Sequence, residues 1–166
     1  FMMKEGRGLI CISITNDIAK KLKLSPMVNA NTSMHETNFT VSVDAVKNTT
    51  TGISSNDRYE TIKAIISDDS TEKDLAKPGH MFPLIAKKGG VLQRAGHTEA
   101  AMDLAKLAGL KHSSLLVEIV DEDGSMARKE SLEKISKKFN MKIISISDLI
   151  EYRRQHEKLV EEISKV

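Results

Sequence analysis

Short apolar runs alternate with amphipathic stretches along this chain, and no other feature narrows its fold as much. Residues 9–14 form an apolar run between Gly8 and Thr15, the pattern of a buried strand. Residues 39–43, Phe-Thr-Val-Ser-Val, alternate with period two, as in a strand that buries one face. Residues 81–86 are apolar but contain Pro83, which predicts an edge or interrupted strand because proline has no N–H for a sheet ladder. Residues 115–120 are apolar except for Glu118, and residues 142–146 read as one more strand. Between these runs the spacing predicts helices over 16–24, 56–66, 98–108, 129–139 and 147–166. Asn16 is the candidate N-cap of the first. Ser54 and Asp57 stand at capping-box spacing before the second, whose inner stripe is Tyr59, Ile62, Ile65 and Ile66. Met102, Leu104, Ala105, Leu107 and Ala108 give the third an apolar face, closed by Gly109. Strands alternating with helices predict one α/β (α+β) domain, a mixed sheet layered with helices.

The 166 residues suit a single core. Trp is absent and aromatics make up 4%, so that core must be aliphatic. The 25 basic and 23 acidic residues leave a net charge of +2, with no basic stripe interleaved with aromatics, which argues against nucleic acid as a partner. The lysine clusters at 20–23, 87–88 and 137–138 read as solvated faces. One cysteine, Cys11, rules out an internal disulfide and a cysteine-based zinc cluster, and points to a reducing, cytoplasmic setting. No apolar run approaches the roughly 20 residues needed to cross a membrane, and no signal peptide is visible. Residues 1–5 read like a helix end stopped at Gly6, from which we expect residues upstream of Phe1.

Three places carry candidate chemistry. Arg94-Ala95-Gly96-His97-Thr98-Glu99 stands where a turn feeds a helix. A helix N-terminus offers free N–H groups and a partial positive charge to a phosphate. Arg94 adds a charged fork, and Gly96 allows a ligand close to the backbone. Thr98 can cap the helix or bond a phosphate oxygen, and His97 can hold a metal or move a proton. The alternative is a surface arginine beside a capped helix. Lys77-Pro78-Gly79-His80 predicts a tight turn that holds His80 against an apolar strand, where a lone histidine is more often structural than catalytic, though two histidines at strand–loop junctions favour function more than either alone. Glu118 lies inside an apolar run and shares a strand face with Leu116 and Val120. A carboxylate there is costly unless paired, and desolvation would raise its pKa toward the range useful for acid–base work. The turn Asp121-Glu122-Asp123-Gly124 lacks the spacing of a calcium loop and reads as solvated. His112 and His156 read as surface residues. The irregular stretch 25–38 is long enough for function.

Together these pieces resemble the 3,4-dihydroxy-2-butanone-4-phosphate synthase family. The resemblance rests on Gly6 to Cys11, Phe39 to Ala45, Thr50 to Ser54, Asp57-Arg58, Pro78 to Leu84, Gly89 to Leu92, Arg94 to Glu99 and Asp123 to Arg128, in the family's order over nearly the whole chain. It implies one synthase domain over residues 1–166, incomplete at its N-terminus. It also implies conversion of D-ribulose 5-phosphate to L-3,4-dihydroxy-2-butanone 4-phosphate and formate in riboflavin biosynthesis. Mg²⁺ or Mn²⁺ would serve as cofactor in a homodimer with active sites near the subunit interface. By the same resemblance Arg94, Ala95, Gly96, His97 and Thr98 hold the sugar phosphate, and Glu118 contacts substrate. His97 ligates the metal, and His80 and Glu118 are essential to catalysis. Cys11, Thr51 and Arg58 are further pocket candidates. The family's upstream acidic loop, with a second metal-binding Glu, is not in this sequence. A metal-dependent sugar-phosphate isomerase or aldolase would use the same phosphate and metal residues but release no formate. A non-catalytic module would dimerise without binding substrate.

Overall fold

The computed structural model describes residues 1–157. Four strands form one sheet: β1 (Cys11–Ile14), β2 (Val43–Ala45), β3 (Leu75–Ile85) and β4 (Ser114–Leu116), in the order β2-β3-β1-β4. β1 runs parallel to β3, while β4 and β2 pair antiparallel at the two ends. The helices are α1 (Asn16–Lys21), α2 (Ser55–Ile66), α3 (His97–Leu107), α4 (Lys129–Phe139) and α5 (Ile146–His156). This is the mixed, helix-layered sheet expected.

Every residue of β1 is buried, which is why its sequence is a continuous apolar run rather than an alternating one. Ile12, Ile14, Leu22, Val43, Ile65 and Met81 fill the core around it, each contributing roughly 1.5–3 kcal/mol relative to an exposed position. The core is aliphatic, as the scarcity of aromatics requires. α2 packs on β2 and β3, and α3 on β1 and β4.

Several local expectations are corrected. Thr15, not Asn16, caps α1, because its side chain accepts from the N–H of Ile18. The Ser54 side chain does cap α2, but the Asp57 carboxylate turns to Thr50 and Gly52 instead of closing a capping box. Tyr59 stands outside, and Thr61 takes the inner position, its hydroxyl accepting from Ala45 N–H and donating to the Asp57 carbonyl. On α3, Met102 and Ala105 are buried as expected, but Leu104 and Leu107 are exposed and Thr98, Glu99 and Asp103 are buried, so polar networks share in anchoring this helix.

β3 is an inner strand of eleven residues, not an edge strand. Pro83 is tolerated because its carbonyl accepts from Thr40 N–H, which places its nitrogen on the side away from β1, where only short bridges at Phe39 and Thr40 stand. Pro78 and Gly79 lie within this strand and make no tight turn. An added Cβ on Gly79 would fall on the Val43 backbone, so glycine is required by close approach of the chains. The strand predicted over 39–43 shortens to bridges and β2, and that over 115–120 to β4 with bridges at Ile119 and Val120. Residues 142–145 find no partner strand among the described residues, and Lys142, Ile143 and Ile144 line an apolar cavity of about 540 Å³ beside β4. α5 begins at Ile146, capped by Ser145; its predicted course beyond residue 157 lies outside the described residues.

Candidate active site

α3 carries the phosphate-type turn. Its N-cap is Gly96, which supplies no side-chain cap, so the first-turn N–H groups remain for a ligand. The turn is held from below. The buried Asp103 carboxylate accepts from Val91 N–H at 2.8 Å and from Arg153 at 2.8 Å, and Arg153 also donates to the Gly89 carbonyl at 2.9 Å. α5 thereby fixes the Gly90–Leu92 turn that leads into Arg94.

Arg94 is more committed than the sequence implies. Its guanidinium donates to the Glu99 carboxylate at 2.5 Å, to the His35 carbonyl at 2.8 Å and to the Thr37 hydroxyl at 3.1 Å. Glu99 is 1% exposed and also accepts from Lys87 N–H at 3.0 Å. Gly96 has a reason beyond ligand approach: an added Cβ would collide with the Arg94 guanidinium and crowd the Glu99 carboxylate. Arg94 thus straps the 35–37 segment to the head of α3. Glu99 stood in the quoted motif, but the pattern of residues alone gave no sign that it is buried under Arg94.

A cavity of about 570 Å³ opens beside this turn, lined by Arg94, Ala95, Gly96, His97 and Thr98 together with Glu118, Cys11, His35 and Thr37. The structure thus brings Arg94 to Thr98, Glu118 and Cys11 together, and leaves His80, Thr51 and Arg58 outside this lining. A neighbouring cavity of about 530 Å³ under residues 26–39 offers no acid, base or cation in its wall. Glu118 is exposed, so the expectation of a desolvated carboxylate fails: β4 ends at Leu116, and although Val117, Ile119 and Val120 stay half-buried, the Glu118 side chain is not covered. What orients Glu118 is Gly8. The carboxylate accepts from Leu9 N–H at 2.9 Å, and a side chain at position 8 would overrun it. Burial, and then the charge of Glu118, push the Cys11 thiol up to about 12. It stays protonated and serves as an apolar wall. Thr51 and Arg58 are not in this lining.

His80 lies outside the cavity, on the β2 side of β3. Its Nδ1 is 2.7 Å from the Asp44 carboxylate, which also accepts from the His80 backbone N–H at 2.8 Å. Asp44 was not singled out from the sequence, because the 36-residue separation hides the contact. His97 is exposed on the cavity wall. Among the described residues no three His, Cys, Asp or Glu side chains converge as a metal site. The wall holds two histidines, His35 and His97, and one carboxylate, Glu118; His97 offers one nitrogen ligand to a divalent cation that would take its other ligands elsewhere.

The sequence profile of 3,4-dihydroxy-2-butanone 4-phosphate synthase matches residues 1–152. The chain belongs to this family.

Among its relatives, the riboflavin biosynthesis protein RibBA of Cytophaga hutchinsonii is 59% identical over 161 residues, covering 96% of this chain and 40% of that protein. RibBA of Bacillus mycoides is 54% identical over 160 residues, with the same shares. The chain therefore spans about two-fifths of the length of these relatives. Among solved structures, RibBX, a two-domain 3,4-dihydroxy-2-butanone 4-phosphate synthase from A. baumannii, superposes with a TM-score of 0.93 at 43% identity, covering 100% of this chain and 49% of that one. A family synthase in complex with two magnesium ions superposes with a TM-score of 0.90 at 34% identity, covering 94% of this chain and 78% of that one. Family membership thus rests on sequence and fold together.

Proposed function

We propose that this chain is a lyase that converts D-ribulose 5-phosphate to L-3,4-dihydroxy-2-butanone 4-phosphate and formate in riboflavin biosynthesis. The observation that carries the reading is the single cavity joining the Arg94–Thr98 turn to Glu118. A sugar phosphate needs an anion site and an acid–base group a few ångströms apart, and this cavity supplies both. The phosphate rests on the first-turn N–H groups of α3, with Arg94 and Thr98 on its oxygens and Ala95 and Gly96 as its backbone wall. The remaining N–H of Arg94 and a shift of its bonds to the 35–37 segment provide that contact. Glu118 faces the sugar end, held in place by Leu9 N–H.

His97 would hold the cation, Mg²⁺ or Mn²⁺, with a second ligand, a Glu, that the family resemblance puts upstream of Phe1. When bound, the cation polarises the carbonyl and enediolate oxygens of the substrate. His80 and Glu118 move protons, at C1 and at the hydroxyl that leaves. His80 is absent from the lining of its own cavity, so the site is completed in a homodimer by His80 of the partner subunit. The reading also places the protein in the cytoplasm; among the described residues no helix is long and apolar enough to cross a membrane.

The test is formate release from ribulose 5-phosphate by the full-length protein, with Mg²⁺, with Mn²⁺ and with EDTA. We expect formate that depends on the cation, and losses of about a hundredfold or more in His80→Ala and Glu118→Gln. A folded, cation-supplied protein that releases none, or variants with near-normal turnover, would sink the assignment.

A further inference from the structure

We infer that Asp44 is a positioning residue for His80, fixing the imidazole in the tautomer that leaves Nε2 free as a base; the inference rests on His80 acting in the proposed reaction. Asp44 Oδ1 accepts from the His80 backbone N–H at 2.8 Å, and Oδ2 lies 2.7 Å from Nδ1. A carboxylate can only accept, so Nδ1 carries the hydrogen in this pair and the lone pair stands on Nε2. The acid is the more covered partner, its side chain 14% exposed against 44% for His80. The carboxylate sits behind and the imidazole reaches out, as an orienting group stands behind a base.

The surrounding chain is shaped to this pair. The register of β2 on β3 shifts between Val43 and Asp44, the kind of irregularity that re-aims a side chain. Gly52, at φ +84°, leaves the space an added Cβ would take from the Asp44 carboxylate and His80 Nδ1. The turn that carries Gly52 is itself tied down. The buried Asp57 carboxylate accepts from Thr50 N–H, the Thr50 hydroxyl and Gly52 N–H. In the proposed step, Nε2 takes a proton from a substrate carbon. The electron pair of that bond stays on the substrate as an enediolate. Asp44 accepts the hydrogen bond of the resulting imidazolium without taking the proton.

Asp44→Asn separates positioning from packing. The His80 backbone N–H needs an acceptor, so the new amide oxygen stays on it and the amide N–H₂ faces Nδ1. Donation from that amide forces the ring hydrogen onto Nε2, the unproductive tautomer. The experiment records ring ¹⁵N shifts of His80 in the full-length protein at neutral pH, and kcat and KM for formate release. The native protein is expected to show Nδ1–H. Asp44→Asn is expected to show Nε2–H, with kcat down about a thousandfold and KM within about threefold. Asp44→Glu, which restores a carboxylate, is expected to recover part of kcat. The inference is overturned by Nε2–H in the native protein, by an unchanged tautomer in a folded Asp44→Asn, or by kcat there within about threefold of native. The native tautomer decides the matter even where the asparagine variant does not fold. A native protein that releases no formate brings down the functional reading alone, because the tautomer still reports on Asp44.

Discussion

Arg153→Met tests whether α5 is held by charge or by packing. Arg153 is 6% exposed, donates to Asp103 and the Gly89 carbonyl, and grips Glu157 with two bonds at 2.6 and 2.7 Å. These bonds drive its pKa up and draw that of Glu157 down below the usual carboxylate range, with Arg153 the main cause. Removing the guanidinium leaves the Asp103 carboxylate buried beside an unanswered Gly89 carbonyl. Breaking a buried pair from one side costs about 3–5 kcal/mol, and the apolar methionine returns part of this, so we expect a loss of about 3 kcal/mol. Within a total of roughly 5–15 kcal/mol, that is a large fraction. The double variant Arg153→Met/Asp103→Leu removes both charges and should recover part of the loss. It should not recover all, because Val91 N–H loses its acceptor, at about 1–3 kcal/mol. Urea unfolding followed by far-ultraviolet circular dichroism measures Arg153→Met, Asp103→Leu and the double variant. A single-variant loss under about 1 kcal/mol, or losses that simply add in the double variant, would refute this account.

Two further outcomes follow from the same contacts. The Asp57 pKa is lowered, first by Thr50 N–H, then by the Thr50 and Ser54 side chains and Gly52 N–H, against the opposing effect of burial. A depressed carboxylate stabilises the fold above its unfolded pKa, so this contribution is fully present above about pH 5 and is lost as the pH falls through the folded value. Asp57→Asn should therefore flatten the acid limb of the stability profile, and an unchanged slope below about pH 4 would count against it. Gly79→Ala should cost more than about 3 kcal/mol in urea unfolding, since its Cβ meets the Val43 backbone rather than a yielding side chain; a loss below about 1 kcal/mol would show that β2 can move aside.

The sequence by itself determined the class of fold, the aliphatic core and the turn of residues 94–99 that feeds α3. These depend on local periodicity, on volume and on a run of six adjacent residues, all of which can be read without knowing which segments meet. α4 is found over the residues the spacing predicts, and α2 begins one residue earlier. Only the tertiary structure decided the rest. Pro83 sits in an inner strand because its bare nitrogen faces away from β1, a fact of register and not of composition. Glu118 is exposed because β4 stops at Leu116, although its neighbours in sequence are apolar. Glu99 and Asp103 are buried in place of leucines because each answers a distant arginine or backbone N–H. Asp44 meets His80 across paired strands. Burial and pairing are set by contacts far apart along the chain, so a local pattern can nominate a residue for a site but cannot say what will stand beside it.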